Sequence, residues 1–184
     1  MEETDLIQKA QNGDRSAFTE LMNRYYRTVE KFAYQCGVRV DDIPDVTQEV
    51  FIKLYRFLPQ FNQQRFTTWL YKITLNAARD YYRKAGRETD KEERVKKDMS
   101  TVAHQSAEKH VLLFEEDQEL HNAILRLDEK YRIPLILFYF QDLSYQQISE
   151  VLNVTMAAVK TRIFRAKDAL KKEIETTGGV SHEQ

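Results

Sequence analysis

The sequence has little of what staples, breaks or anchors a chain. Cys36 is the single cysteine in 184 residues, so no internal disulfide and no cysteine-based metal site is available. It has no histidine close by in sequence and reads as a buried side chain. Glycine (5) and proline (3) are scarce, while Ala, Leu, Glu, Lys, Gln and Arg are common, a composition that favours helix. No apolar run approaches the ~20 residues that cross a bilayer. The opening MEETDLIQKA is acidic and amphipathic and lacks a signal-peptide apolar core. Nor is one sign of charge in excess: 28 Lys and Arg face 29 Asp and Glu, for a formal net charge of −1. Bulk attraction to nucleic acid is thereby excluded, and binding would require local segregation of cations. The expectation is a cytoplasmic, all-α protein without cofactors or membrane insertion.

Catalytic groups are equally sparse. The four histidines are His104, His110, His121 and His182. His110 and His121 could share a helix face, but about 16 Å of helical rise separates them, too far to chelate one metal. There is no Gly-rich phosphate loop and no paired carboxylate with an evident pocket. An enzyme is not expected.

What is present is helical periodicity in two blocks. A short helix, a turn at Asn12-Gly13-Asp14 and a longer helix open the chain. Phe18, Leu21, Met22, Tyr25, Val29, Phe32 and Ala33 give the longer helix its apolar stripe, and Gly37 ends it. The next helix spans 44–58, with Pro44 at its start and Pro59 at its end; Val46, Val50, Leu54 and Phe57 form its core stripe. NQQRF makes a turn, and TTWLYKITLNAARDYYRK makes a third long helix. From about Ala85 to Gln105 the pattern fails, and the stretch reads as a polar linker, helical at most at its start. Periodicity returns near Val111, and Pro134 in the very apolar DEKYRIPLILFYFQ is tolerable only near a helix start. Two small helical domains are expected, 1–86 and 111–175, joined by a linker over 87–110 and followed by a disordered tail over 176–184.

The last two helices form a helix-turn-helix pattern. Ser144 and Gln147 fit a capping box, Ile148, Val151 and Leu152 bury one side, Asn153-Val154-Thr155 makes the turn, and Thr155 caps the second helix. On that helix Val159, Ile163, Ala166 and Leu170 share the core face. Phe164 falls about 120° away from it, among Lys160, Thr161, Arg165 and Lys167. A generic helical hairpin with a wet basic face would look similar. An aromatic on a groove-facing helix, however, can pack on thymine methyls while Lys and Arg reach phosphates or guanine.

Two further faces stand out. Trp69, Lys72, Asn76, Arg79 and Arg83 share one side of the third long helix, beside Leu70, Ile73 and Ala77. Such a stripe suits single-stranded DNA, with an aromatic to stack, cations to follow phosphates and an amide to read a base edge; a half-core Trp69 with solvated cations is the plainer alternative. On the 44–58 helix, Asp45, Gln48, Glu49, Ile52 and Arg56 share a face on which Ile52 is either a lone exposed apolar residue or a protein contact.

Taken together, four blocks in order resemble a bacterial RNA polymerase sigma factor of the extracytoplasmic-function group, of the sigma-70 family, and the resemblance covers nearly the whole chain. They are GDRSAFTELMNRYY, DIPDVTQEVFIKLYRFLPQF, RFTTWLYKITLNAARDYYRK and LDEKYRIPLILFYFQDLSYQQISEVLNVTMAAVKTRIFRAKDALKK. The resemblance implies a region 2 bundle and a region 4 helix-turn-helix. Asp45, Gln48, Glu49, Ile52 and Arg56 would lie against the clamp helices of the polymerase beta-prime subunit. Trp69, Lys72, Asn76, Arg79 and Arg83 would serve the −10 element, with Asn76 lining a pocket for a flipped-out base and Trp69 supporting it. Lys160, Thr161, Phe164 and Arg165 would read the −35 duplex. Partners implied are core RNA polymerase, promoter DNA and an anti-sigma factor. One departure is the sequence TMAAV at Thr155–Val159, where the family usually has Pro-x-Gly-Thr-Val. The rival readings are a helix-turn-helix regulator that binds duplex DNA without polymerase, and an interaction-only sigma mimic.

Overall fold

Asp14 sets the start of the first long helix. Its carboxylate accepts the Ala17 amide at 3.1 Å, a side-chain N-cap, and Gly13 before it takes φ +90°, which only glycine adopts at little cost. The structure, a computed structural model, describes residues 1–62, 65–92 and 118–179, and these are helical apart from short turns. The elements are α1 (Glu3–Gln11), α2 (Arg15–Gln35), α3 (Ile43–Phe57), α4 (Phe66–Glu92), α5 (Gln118–Leu125), α6 (Glu129–Tyr139), α7 (Tyr145–Leu152) and α8 (Met156–Gly179). Short 3-10 turns at Val40–Asp42 and Leu58–Gln60 flank α3. The chain divides into two compact units, Met1–Leu113 and Phe114–Gln184. Outside the described residues lie Gln63 and Gln64 of the expected turn, 93–110 of the expected linker, 111–117, and 180–184, with His104, His110 and His182 among them.

In the first unit α1 to α4 close on a core that includes Leu6, Val29, Phe32, Ile43, Val50, Leu54 and Leu70, each at most 1% exposed. Phe32 meets Tyr71 edge to face at 5.0 Å. Gly37 ends α2 as its sequence position suggests. At φ +97° it lets its own amide reach Tyr34 O and the Val38 amide reach Ala33 O, the paired bonds of a Schellman end. Cys36 is buried at that junction. Two tyrosines fasten α4 to what precedes it. Tyr81 donates to Asp42 at 2.6 Å, and Tyr82 donates to the Cys36 carbonyl at 2.8 Å. Burial, and then the Asp42 carboxylate, push the Tyr81 phenol above its ordinary pKa.

In the second unit Ile133, Leu135, Ile136, Leu137, Ile148, Val159, Ile163 and Ala166 form the core. The capping box forms in full: the Ser144 hydroxyl accepts the Gln147 amide at 3.2 Å and the Gln147 side chain accepts the Ser144 amide at 2.9 Å. Asn153 turns the chain at φ 54°, and Thr155 accepts the Ala158 amide at 3.1 Å to start α8. Arg132 closes the end of α5 by donating to Leu125 O and Leu127 O.

Three expectations need correction. Phe57 is not in the core; it is 44% exposed. It occupies the last residue of α3, where the chain enters the 3-10 turn; Leu58, 2% exposed, fills the core instead, and the Arg56 guanidinium covers the Phe57 ring at 5.9 Å. Pro134 lies inside α6 rather than near its start. It gives up one backbone bond but is buried beside Ile133 and Leu135 to Leu137, where an apolar ring is favourable. The segment expected to be a tail from residue 176 is helical through Gly179. Arg126 holds that end by donating to Glu173 at 2.9 Å and to the Thr177 hydroxyl at 3.2 Å.

Candidate DNA-binding and protein-binding surfaces

On α8, the cap at Thr155 fixes the helix phase, and the buried stripe of Val159, Ile163 and Ala166 then decides what faces out. Lys160, Thr161, Phe164 and Arg165 are all exposed, and Phe164 is exposed to 75%. That is a large apolar ring left in water among cations. The Thr161 hydroxyl donates back to Ala157 O at 3.0 Å, which leaves its methyl and its oxygen lone pairs for a partner. Lys160 is held: its ammonium lies 5.6 Å from the ring centroid of Tyr145, and Tyr145 stacks on Phe138 at 5.0 Å and 7°. Sequence reasoning missed Tyr145, the first residue of α7; its place right after the Ser144 cap was the available signal. Ala157 and Ala158, the departure from the family pattern, sit in the first turn of α8.

On α4, the five stripe residues do share one side, with graded exposure. Asn76 and Arg83 are exposed; Trp69, Lys72 and Arg79 are half-buried. Trp69 therefore combines core packing with partial exposure. It packs against Phe61 with centroids 4.8 Å apart and 27° between planes, and against Phe66 edge-on at 5.9 Å, yet it is not sealed from solvent. Phe61 was not singled out in the sequence, and nothing local there announced it. Asp80 interrupts the cationic stripe, pairing with Arg83 at 3.4 Å.

On α3, Asp45, Gln48, Ile52 and Arg56 are exposed and Glu49 is half-buried. Ile52 is 59% exposed, and it is not alone. It borders an open groove of about 530 Å³ between α2 and α3, lined also by Phe18, Met22, Tyr26, Phe51 and Tyr55. Of these, Phe18 and Met22 belong to the apolar stripe expected on α2, whereas Tyr26, one helical turn further on, was not singled out in the sequence. Lys53 links this face to α4, contacting Glu49 at 3.1 Å and Asp80 at 3.4 Å. Its partial burial lowers the ammonium pKa, but the bonds to Glu49 and Asp80 outweigh that and leave it raised.

The described residues contain no group of three or more His, Cys, Asp or Glu placed to hold a metal ion. No described helix is long and apolar enough to cross a membrane.

Comparison with known proteins covers both units. Residues 21–88 match the family described as Sigma-70 region 2, and residues 117–170 match Sigma-70, region 4. The ECF RNA polymerase sigma-E factor of Haemophilus influenzae is 32% identical over 178 residues, 92% of this chain and 94% of that protein. The ECF RNA polymerase sigma factor SigW of Bacillus subtilis is 31% identical over 176 residues, 91% of this chain and 94% of that protein. In three dimensions the chain is similar in fold to CnrH, solved in complex with the cytosolic domain of CnrY, with a TM-score of 0.70, 24% identity and coverage of 93% and 96% of the two chains. It is also similar in fold to the sigma factor RpoE of Bartonella quintana, solved with the anti-sigma factor NepR, with a TM-score of 0.67, 18% identity and coverage of 86% and 96%.

Proposed function

The chain belongs to the extracytoplasmic-function group of the sigma-70 family and directs RNA polymerase to promoters, and on that premise we propose how its exposed residues divide the work. As a sigma factor it is a non-catalytic subunit that binds core polymerase and promoter DNA.

In this reading α3 docks the factor on the clamp helices of the beta-prime subunit through Asp45, Gln48, Glu49, Ile52 and Arg56. An apolar Ile52 ringed by polar groups has the make-up of a small contact centre with a wet rim. The α4 stripe takes the −10 non-template strand: Asn76 reads a flipped base, Trp69 supports it, and Lys72, Arg79 and Arg83 follow phosphates. The helix-turn-helix holds the −35 duplex, with Phe164 against a base-pair edge and Lys160, Thr161 and Arg165 around it. The exposure of Phe164 among cations carries this reading, because a ring at 75% exposure gains nothing from the fold it sits on. The two DNA contacts lie on separate units of one chain, so binding at one element raises the effective concentration of the other contact at its own.

An anti-sigma factor is the proposed regulator, working in the cytoplasm where polymerase is. The Bartonella protein is solved with the anti-sigma factor NepR, and CnrH with the cytosolic domain of CnrY. The Ile52 face and its groove offer the apolar surface such a partner would cover.

Gel-shift titration separates this from a stand-alone helix-turn-helix regulator. Specific retention of a promoter duplex is expected only when core polymerase is present, with only weak, salt-sensitive binding by the chain alone. Tight specific binding without polymerase would overturn the division of labour.

A further inference from the structure

Gln11 is the last residue of α1, a helix that lies outside all three surfaces, yet its side chain reaches the turn that packs on one of them. Its Nε2 donates to Leu58 O at 3.1 Å and to Phe61 O at 2.7 Å. A primary amide nitrogen has two N–H donors, and here both are committed to the backbone of one short turn. Leu58 O also accepts the Phe61 amide at 3.0 Å, so the turn is closed from within and clasped from outside.

That turn carries Phe61, whose ring stacks on Trp69 at 4.8 Å and meets Phe66 edge-on at 5.8 Å. Phe66 in turn packs on Tyr25 at 5.3 Å, and the Tyr25 hydroxyl donates to Glu3. Thus α1 grips the aromatic cluster twice, at its start through Glu3 and at its end through Gln11. Neither grip is needed to bury α1, which Leu6 and Ala10 already anchor. The Gln11 clasp bears instead on the backbone of Phe61, whose ring stacks on the Trp69 indole at the head of the α4 stripe.

We propose, resting on the reading of that stripe as the strand-capturing surface, that Gln11 is a positioning residue for capture of the −10 single strand, holding the Phe61–Trp69 stack in the orientation on which a base is received. Stacking is sequence-tolerant but sensitive to ring placement. A turn free to shift would cost the strand an ordering step on binding.

The test uses the full chain and its holoenzyme with bacterial core polymerase. Trp69 is the single tryptophan, so the fluorescence of the free chain reports directly on the stack. Gln11→Met removes both donors at similar volume; Gln11→Lys keeps N–H donors at similar reach. Gln11→Met is expected to raise acrylamide quenching of Trp69 and to weaken holoenzyme binding to a fork-junction fragment with a single-stranded −10 segment by about tenfold. Affinity for core polymerase should stay unchanged, and Gln11→Lys should restore both readouts. Unchanged quenching, changed quenching with unchanged fork binding, failure of the lysine variant to restore binding, or an equal loss of polymerase affinity would each overturn the proposal. Trp69→Ala run alongside separates the two levels. If it weakens fork binding while Gln11→Met does not, only the role of Gln11 fails. If it leaves fork binding intact, the reading of the stripe fails first.

Discussion

The ammonium of Lys160 stands over the ring of Tyr145, 5.6 Å from its centroid, across the turn of the helix-turn-helix. Tyr145 is itself stacked on Phe138, so the lysine is steadied by a ring that cannot easily move. A contact of this kind is worth about 0.5–1 kcal/mol at an exposed site. Tyr145→Leu should therefore weaken holoenzyme binding to a cognate promoter by about two- to fivefold. Tyr145→Phe, which keeps the ring, should bind like the parent chain in the same titration.

Phe164→Ala should leave thermal stability and polymerase affinity unchanged, because most of the ring is exposed. Discrimination between cognate and altered −35 base pairs should fall by about 1–3 kcal/mol. Run-off transcription on a set of −35 variants measures this, and a mutant that ranks the variants as the parent does would remove Phe164 from the reading surface.

Asn76→Ala alters a side chain that is exposed and lies between Lys72 and Arg79 on the α4 stripe. The expected result is a changed −10 base preference, with weaker selection at one position rather than a uniform loss of binding. Competition between promoters that differ at single −10 positions is the measurement, and an unaltered preference would sink the assignment.

Ser144→Ala removes one half of the capping box at the start of α7. The second unit should lose about 1 kcal/mol of stability, within the ~0.5–2 kcal/mol range for such caps. Denaturant unfolding followed by circular dichroism, with Ser144→Asp as a cap-preserving control, checks it.

Features fixed by neighbouring residues are legible in the sequence. The Ser144–Gln147 box, the Thr155 cap, the Gly37 helix end and the outward phase of Phe164 all follow from spacings of a few residues. Features fixed by packing are not. Phe57 has the right helical phase for the core, but α3 ends there and Leu58 takes the buried place. Pro134 obeys its surroundings rather than its propensity, since the buried ring outweighs one missing backbone bond. Phe51 lies one step off the expected stripe of Val46, Val50 and Leu54, yet it is buried and stacked on Tyr26 at 5.8 Å. The Gln11 clasp joins residues 47 and 50 positions apart, a separation at which a lone sequence carries no signal. The same holds for the candidate sites. The facing residues are readable from periodicity, while the aromatic residues that steady them, Tyr145 under Lys160 and Phe61 against Trp69, come from other elements.

Two separate DNA contacts on one chain should together confer promoter choice on core polymerase. The decisive measurement is run-off transcription with purified bacterial core polymerase on a library randomised over both promoter elements. The expected transcripts depend on the chain and share two conserved blocks at fixed spacing, the upstream block relaxed by Phe164→Ala and the downstream block by Asn76→Ala. No promoter-specific transcript at any salt concentration, or a single conserved block insensitive to both substitutions, would contradict this expectation.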